Sequence, residues 1–169
     1  LYIADASQTG LDFSSALTLA CRAKFTSVND GLYYLLIGKI GAAGNYSYDL
    51  AINNTGKIQF RISFDGSILK TLVGSTTLSA GTWYSIVAVY DGANMYIYLN
   101  NVSDQTPSAQ VGTIYNSTIQ FSIGAVGATP ANFMGGSIDD AAVWSRALDS
   151  TERAALYALE KYFEEEENN

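Results

Sequence analysis

The sequence predicts an all-β fold: a sandwich of two antiparallel sheets with one short helix near the C-terminal end. Short runs of β-branched and aromatic residues are broken about every 8–12 residues by Gly, Asn, Asp or Ser, the spacing of a sandwich or barrel. Ile58, Phe60, Ile62 and Phe64 alternate with Gln59, Arg61 and Ser63, and Met95, Ile97 and Leu99 alternate with Tyr96, Tyr98 and Asn100, so each of these strands buries one face. The connectors Asn53 to Gly56, Asp65-Gly66 and Asp91-Gly92 supply residues that tolerate positive φ, as tight hairpins demand; consecutive strands are therefore expected as antiparallel neighbours.

In chain order, strands are expected over Ala16 to Phe25, Leu32 to Lys39, Tyr46 to Ile52, Lys57 to Phe64, Trp83 to Tyr90, Met95 to Asn100, Ile119 to Ala125 and Gly136 to Trp144. A helix follows, with Asp149 or Ser150 as N-cap and Glu152 in its first turn. Its stripe of Ala155, Leu156, Leu159, Tyr162 and Phe163 is expected to pack on the sandwich. The run Glu164 to Glu167 sits where the helix dipole disfavours anions and like charges repel, so 164–169 is expected as a frayed acidic tail and 1–163 as one domain. Neither an internal repeat nor a Pro-rich linker interrupts it.

The chain has 169 residues, 48% hydrophobic and 15% charged, enough length for its own core and fewer charges than the about 25% of an average domain. Ser, Thr, Asn, Gln and Tyr must therefore provide much of the polar surface, as in extracellular β-proteins. A net charge of -7 with only nine Lys and Arg argues against nucleic-acid binding, which needs clustered cations. All the Glu residues lie at or beyond Glu152. Cys21 is alone, so no internal disulfide or thiolate metal cluster is possible. No apolar run approaches the length of a membrane span, and the opening residues show no basic leader region. Because the chain has no His, nucleophilic sites that rely on Ser-His-Asp or Cys-His cannot form.

Three stretches resemble the laminin-G-like pattern of the concanavalin A-like lectin and glucanase superfamily. One is Gly81-Thr82-Trp83 through Tyr90-Asp91-Gly92, followed by Met95 to Asn101, with Asn101 where the family usually has Gly. Another runs from Ile119 to Ala125 and then through Gly136-Ser137-Ile138-Asp139 to Trp144 and Arg146-Ala147-Leu148. The third is Leu17 to Phe25, where Cys21 or Arg22 stands at a position commonly held by Trp. The resemblance implies a jelly roll. It also implies an opening strand that would precede Leu1, whose absence would leave an edge unpaired near Ser137 to Trp144, to be filled by a partner or by more of a longer polypeptide. The paired Glu residues that glycosidases of the superfamily carry on one strand have no counterpart here.

The expected function is that of a non-catalytic carbohydrate-binding or adhesion module, secreted or surface-displayed, with a glycan or surface protein as partner and no insertion into membranes. The alternative is a structural subunit or decoration domain of a surface filament or virion. Exposed aromatic rings and planar polar groups suit sugars, which nominates Tyr84, Tyr96, Tyr98, Gln59 and Arg61 as ligand-binding residues. From the resemblance, Asp139 is a candidate Ca²⁺ ligand, with Asp5 as a second and Asp140 on the opposite face. Trp83 and Trp144, among apolar neighbours, are expected in the core. Asn45, Asn53, Asn101 and Asn116 each begin an Asn-x-Ser/Thr triplet, which in a secreted protein would be a glycosylation acceptor on a surface loop.

Overall fold

The computed structural model describes residues 1–126 and 133–167, except for the side chains of 163–167. Its strands are β1 (Tyr2–Ile3), β2 (Leu17–Phe25), β3 (Tyr34–Ile40), β4 (Tyr46–Ile52), β5 (Lys57–Ser63), β6 (Leu69–Thr77), β7 (Trp83–Tyr90), β8 (Asn94–Leu99), β9 (Val102–Ser103), β10 (Ser108–Ala109), β11 (Phe121–Ile123) and β12 (Gly136–Trp144), followed by helix α1 (Ser150–Glu167). The first sheet runs β1-β11-β3-β4-β5-β6 and the second β10-β8-β7-β2-β12, with β9 beside β8. All the pairings are antiparallel. This is the expected jelly-roll sandwich.

Its interior follows from the period-2 pattern. Leu17, Leu19, Cys21, Ala23 and Phe25 of β2, with Ile86, Ala88 and Tyr90 of β7, meet Tyr48, Leu50 and Ile52 of β4 and Ile58, Phe60 and Ile62 of β5. Most of these side chains are fully buried, and the Leu, Ile and Phe among them each contribute roughly 1.5–3 kcal/mol over an exposed position. Burial also pushes the Cys21 thiol far up from its ordinary range, so it behaves as a small apolar side chain.

Strand β6 is not among the runs expected from sequence, because Gly74 and its Ser and Thr neighbours read as a connector. The glycine belongs to the strand for a steric reason: a Cβ there would lie 2.1 Å from Asp104 Oδ2. Asp104, from the loop after β9, clasps this edge by accepting at Oδ1 from Thr76 Oγ1 at 2.5 Å and from Thr76 N at 3.2 Å. The turn residues read from sequence take positive φ, including Gly56, Gly66 and Gly92, and the β8–β9 turn uses Asn100 at 50° and Asn101 at 62°.

At the other margin, β1 joins the first sheet through Tyr2 opposite Ser122 and Ile3 opposite Phe121. Strand β12 pairs on one side with β2, and no strand lies on its outer edge among the described residues. Its ladder breaks between Asp139 and Ala142, with Asp140 at φ 49°.

Helix α1 opens with a reciprocal cap: Asp149 N donates to Glu152 Oε2 at 3.0 Å and Glu152 N to Asp149 Oδ1 at 2.9 Å, which makes Asp149 the N-cap. The face that meets the second sheet is not the expected one. Leu156 packs there, but Ala155, Leu159 and Tyr162 point to solvent, with Leu159 55% and Tyr162 58% exposed. The docked stripe is Arg153, Leu156, Tyr157 and Glu160, at i, i+3, i+4 and i+7. The sheet below it offers Tyr98 and Arg22 as well as apolar residues, so long polar side chains fit it better than a wholly apolar stripe. Side chains of 163–167 and residues 168 and 169, which carry the expected Phe163 contact and much of the acidic tail, lie outside the described residues.

Candidate functional site

The outer face of the second sheet carries the candidate site. Inward-facing Ala23, Phe25, Ile86 and Ala88 force their neighbours outward, and cross-strand register arranges those neighbours in rows. Ser137, Lys24 and Trp83 form one row, Asp139, Arg22 and Ser85 the next, then Ala142, Ala20, Val87 and Tyr98, then Trp144, Thr18, Val89 and Tyr96. Helix α1 lies over the last two, where Ala20, Val87 and Val89 form a second small apolar cluster with Trp144 and Leu156. The first row lies outside this cluster and is polar and cationic.

There the half-buried Trp83 ring has the Arg22 guanidinium 4.9 Å and the Lys24 ammonium 5.0 Å from its centroid. Lys24 makes no ion pair with a carboxylate among the described residues, whereas buried Arg22 has Asp139 Oδ2 at 4.0 Å. Lys24 also borders a cleft of about 590 Å³, shared by Phe25, Thr26, Gly81, Gly136 and Ser137, a volume in the range of small-ligand sites. Gly136 is required where it stands, because a Cβ would lie 2.0 Å from the Lys24 carbonyl oxygen. Hydroxyls, a cation and glycine backbone thus border one cleft at this end of the sheet, next to the Trp83 ring on which Arg22 and Lys24 stack.

The residues nominated from sequence lie on three surfaces. Tyr96 and Tyr98 do share this outer face, stacked at 6.3 Å and 12°. Both are already engaged: Arg153 of α1 lies 3.9 Å from the centre of the Tyr98 ring, and Tyr96 OH donates to Asp91 Oδ2 at 2.9 Å. Tyr84 turns the other way, packing against the sandwich core with its hydroxyl accepting from Ser79 N at 3.0 Å. Gln59 and Arg61 face outward from the first sheet, opposite Ala51 and Asp49. Arg61 is held there by the fully buried Asp49, through Nε at 2.9 Å and Nη2 at 2.6 Å, while Tyr33 donates to the same carboxylate. Burial pushes the Asp49 carboxyl up and the guanidinium opposes that shift.

Trp83 and Trp144 are not in the sandwich core. Both face outward from the second sheet, Trp144 beneath α1 and Trp83 near Tyr157, Glu160 and Lys161 of the same helix. The alternation that could have placed them is hidden, since Ile86, Val87, Ala88 and Val89 are all apolar in a strand covered on one face by the other sheet and on the other by α1.

Asp5 and Asp139, the candidate calcium ligands, each lie next to a cation of the chain. The Lys39 ammonium, itself fully buried, stands 2.6 Å from Asp5 Oδ1 and 2.5 Å from Asp12 Oδ1, and its hydrogen bond holds the Asp5 carboxyl below its ordinary value. Asp139 has Arg22 beside it and donors from no other acid, and among the described residues no three His, Cys, Asp or Glu converge on a point. Among the described residues, no helix is long and apolar enough to cross a membrane.

A family model described as the concanavalin A-like lectin/glucanases superfamily matches residues 2–152. No curated protein matches the chain. Solved structures similar to it include the binding domain of Paraclostridial Mosquitocidal Protein 1, at 15% identity and a TM-score of 0.69, covering 89% of this chain and 39% of that one. A Bacteroides ovatus protein assigned to carbohydrate binding is 16% identical with a TM-score of 0.67, covering 86% and 41%. The ligand-binding domain of botulinum neurotoxin serotype D, in complex with N-acetylneuraminic acid, is 14% identical with a TM-score of 0.65, covering 90% and 38%. The chain therefore spans about two fifths of the length of each of these proteins.

Proposed function

From the premise that the chain belongs to the concanavalin A-like lectin/glucanase superfamily, we propose that it is a non-catalytic carbohydrate-binding module of a secreted or surface-displayed protein, and that it binds at the Trp83 end of its second sheet. One observation carries the reading: a cleft of about 590 Å³ is bordered by Lys24, Thr26 and Ser137, and the Lys24 ammonium lies 5.0 Å from the centre of the neighbouring Trp83 ring. An indole offers its face to sugar C–H groups, while ammonium and hydroxyl groups bind sugar oxygens with geometric preference. Similar structures described as binding carbohydrate or bound to N-acetylneuraminic acid support the ligand class. The lack of His supports a non-catalytic role. So does the separation of the buried carboxylates, with Asp49 held by Arg61, Asp104 clasping β6, and Glu160 on the sheet-facing side of α1.

A glycan array followed by calorimetry tests this. The parent chain is expected to retain one or more glycans, and Trp83→Ala or Lys24→Ala to weaken them by about tenfold or more, equivalent to about 1.4 kcal/mol. Tyr84→Phe, on the inner face, is expected to leave affinity unchanged. Equal binding by Trp83→Ala and the parent would move the site elsewhere. No retention of any glycan would remove the reading.

A further inference from the structure

We propose a second binding site, independent of the Trp83 cleft: the cleft between α1 and β12 binds a small organic cation with methyl groups around its charge, of the quaternary ammonium class. This cleft has a volume of about 240 Å³ and is bordered by Trp144, Leu156, Leu159 and Ala142, with Asp140 and Glu160 supplying carboxylates. It is smaller than the about 300–1,000 Å³ of sites for drug-sized ligands, so its occupant has few heavy atoms. No Lys or Arg borders it.

The chemistry of the walls selects the ligand. Leucine and alanine side chains reward burial of methyl groups, an indole attracts a cation over its face, and carboxylates supply the countercharge. A neutral apolar molecule would make no use of the Asp140 carboxylate. A bare metal ion or a primary ammonium would lose hydration to apolar walls, whereas a methylated ammonium is weakly hydrated and meets both kinds of surface. Arg22 and Lys161 lie with Glu160 in a neighbouring small cleft, which makes Asp140 the more available countercharge on this side. Asp140 makes no ion pair among the described residues.

The backbone explains why Asp140 is there. At φ 49° it stands in the left-handed region, inside the break in the β12–β2 ladder between Asp139 and Ala142. A non-glycine residue in that region is strained, and Asp and Asn are among the side chains that tolerate it best. The break takes Asp140 out of the sheet's alternation and sets it beside the cleft. It also interrupts the outer edge of β12, beside which no strand lies among the described residues, and so makes an added peptide strand a poorer occupant than a small molecule.

Titration of the full chain with choline chloride, followed by NMR, tests the proposal, with uncharged 3,3-dimethyl-1-butanol as the isosteric control. Saturable shifts are expected in the Ala142, Leu156 and Leu159 methyls and the Trp144 indole, with a millimolar Kd. The neutral alcohol is expected to bind about threefold or more weakly, the lower range of a cation–aromatic contact. Asp140→Asn keeps a side chain suited to positive φ, so it is expected to preserve the thermal midpoint while weakening choline by a similar factor. Trp144→Leu is expected to abolish binding, and if that variant does not fold, Asp140→Asn decides. Absence of saturable shifts, equal affinity for the alcohol, or parental affinity in Asp140→Asn would each overturn the proposal.

Discussion

Lys39 faces the interior from β3, where a bare ammonium would be costly, yet it is fully buried. Two carboxylates make this possible. Asp5 and Asp12 contact its Nζ at 2.6 and 2.5 Å, and Gln8 Nε2 donates to Asp12 at 2.8 Å and Asp5 at 3.3 Å, so the segment before β2 is fastened to β3 by charge. Replacing only the cation, as in Lys39→Met, leaves two adjacent anions and removes the fastening. The Asp5 carboxyl is held below its ordinary value of 3.8, chiefly by Lys39, so its stabilising effect is present above pH 3.8 and fades as pH falls through the lowered folded value. Lys39→Met is therefore expected to lower the melting temperature more at pH 7 than at pH 2, and thermal melts of both proteins at the two pH values check this. An equal loss at both would show that the ion pair does not fasten the segment.

Among elements, α1 shows what was readable in sequence and what was not. Asp149, Ser150 and Glu152 announced its start, because capping is local chemistry among residues three apart. Which face it buries was not legible, since that depends on the sheet beneath: Arg153 seats on Tyr98, and Leu159 stays in water although it is as apolar as Leu156. The same dependence hid Trp83, whose strand reads as a continuous apolar run only because both of its faces are covered. Strands with one wet face, such as β5 and β8, were legible residue by residue, and Tyr96 and Tyr98 were rightly placed on the outside. At the helix start, Arg146 meets Glu152 through two contacts of 2.6 Å and, with the Asp149 amide, brings its carboxyl from 4.5 to about 2. That stabilisation is present above pH 4.5 and is lost between pH 4.5 and about 2. Circular dichroism is expected to show helical signal falling over this window in the parent and starting lower, with a smaller fall, in Glu152→Gln. A parental fall in the variant would assign the loss to another group.

For the whole molecule, the second sheet is the partition between two apolar layers of unequal size. One layer joins both sheets and holds most of the fully buried side chains; the other, built on Ala20, Val87 and Val89, exists only while α1 is docked. Stability should follow that inequality, because local opening has a free energy set by the contacts it breaks. Leu156 joins α1 to the small layer without touching the large one, so Leu156→Asp should release the helix and leave the sandwich standing. The expected cost is roughly 1–3 kcal/mol, the range of a charge placed against an apolar cluster. Hydrogen exchange resolves the two layers: α1 amides are expected to exchange faster in Leu156→Asp while those of β4 and β5 keep their protection. Release of the helix also uncovers Trp144, so its fluorescence should shift to the red before the β-sheet circular dichroism signal changes on heating. A variant in which helix and sandwich lose protection together would mean that the two layers open as one unit, and that the helix is an integral wall of the fold rather than a cover on it.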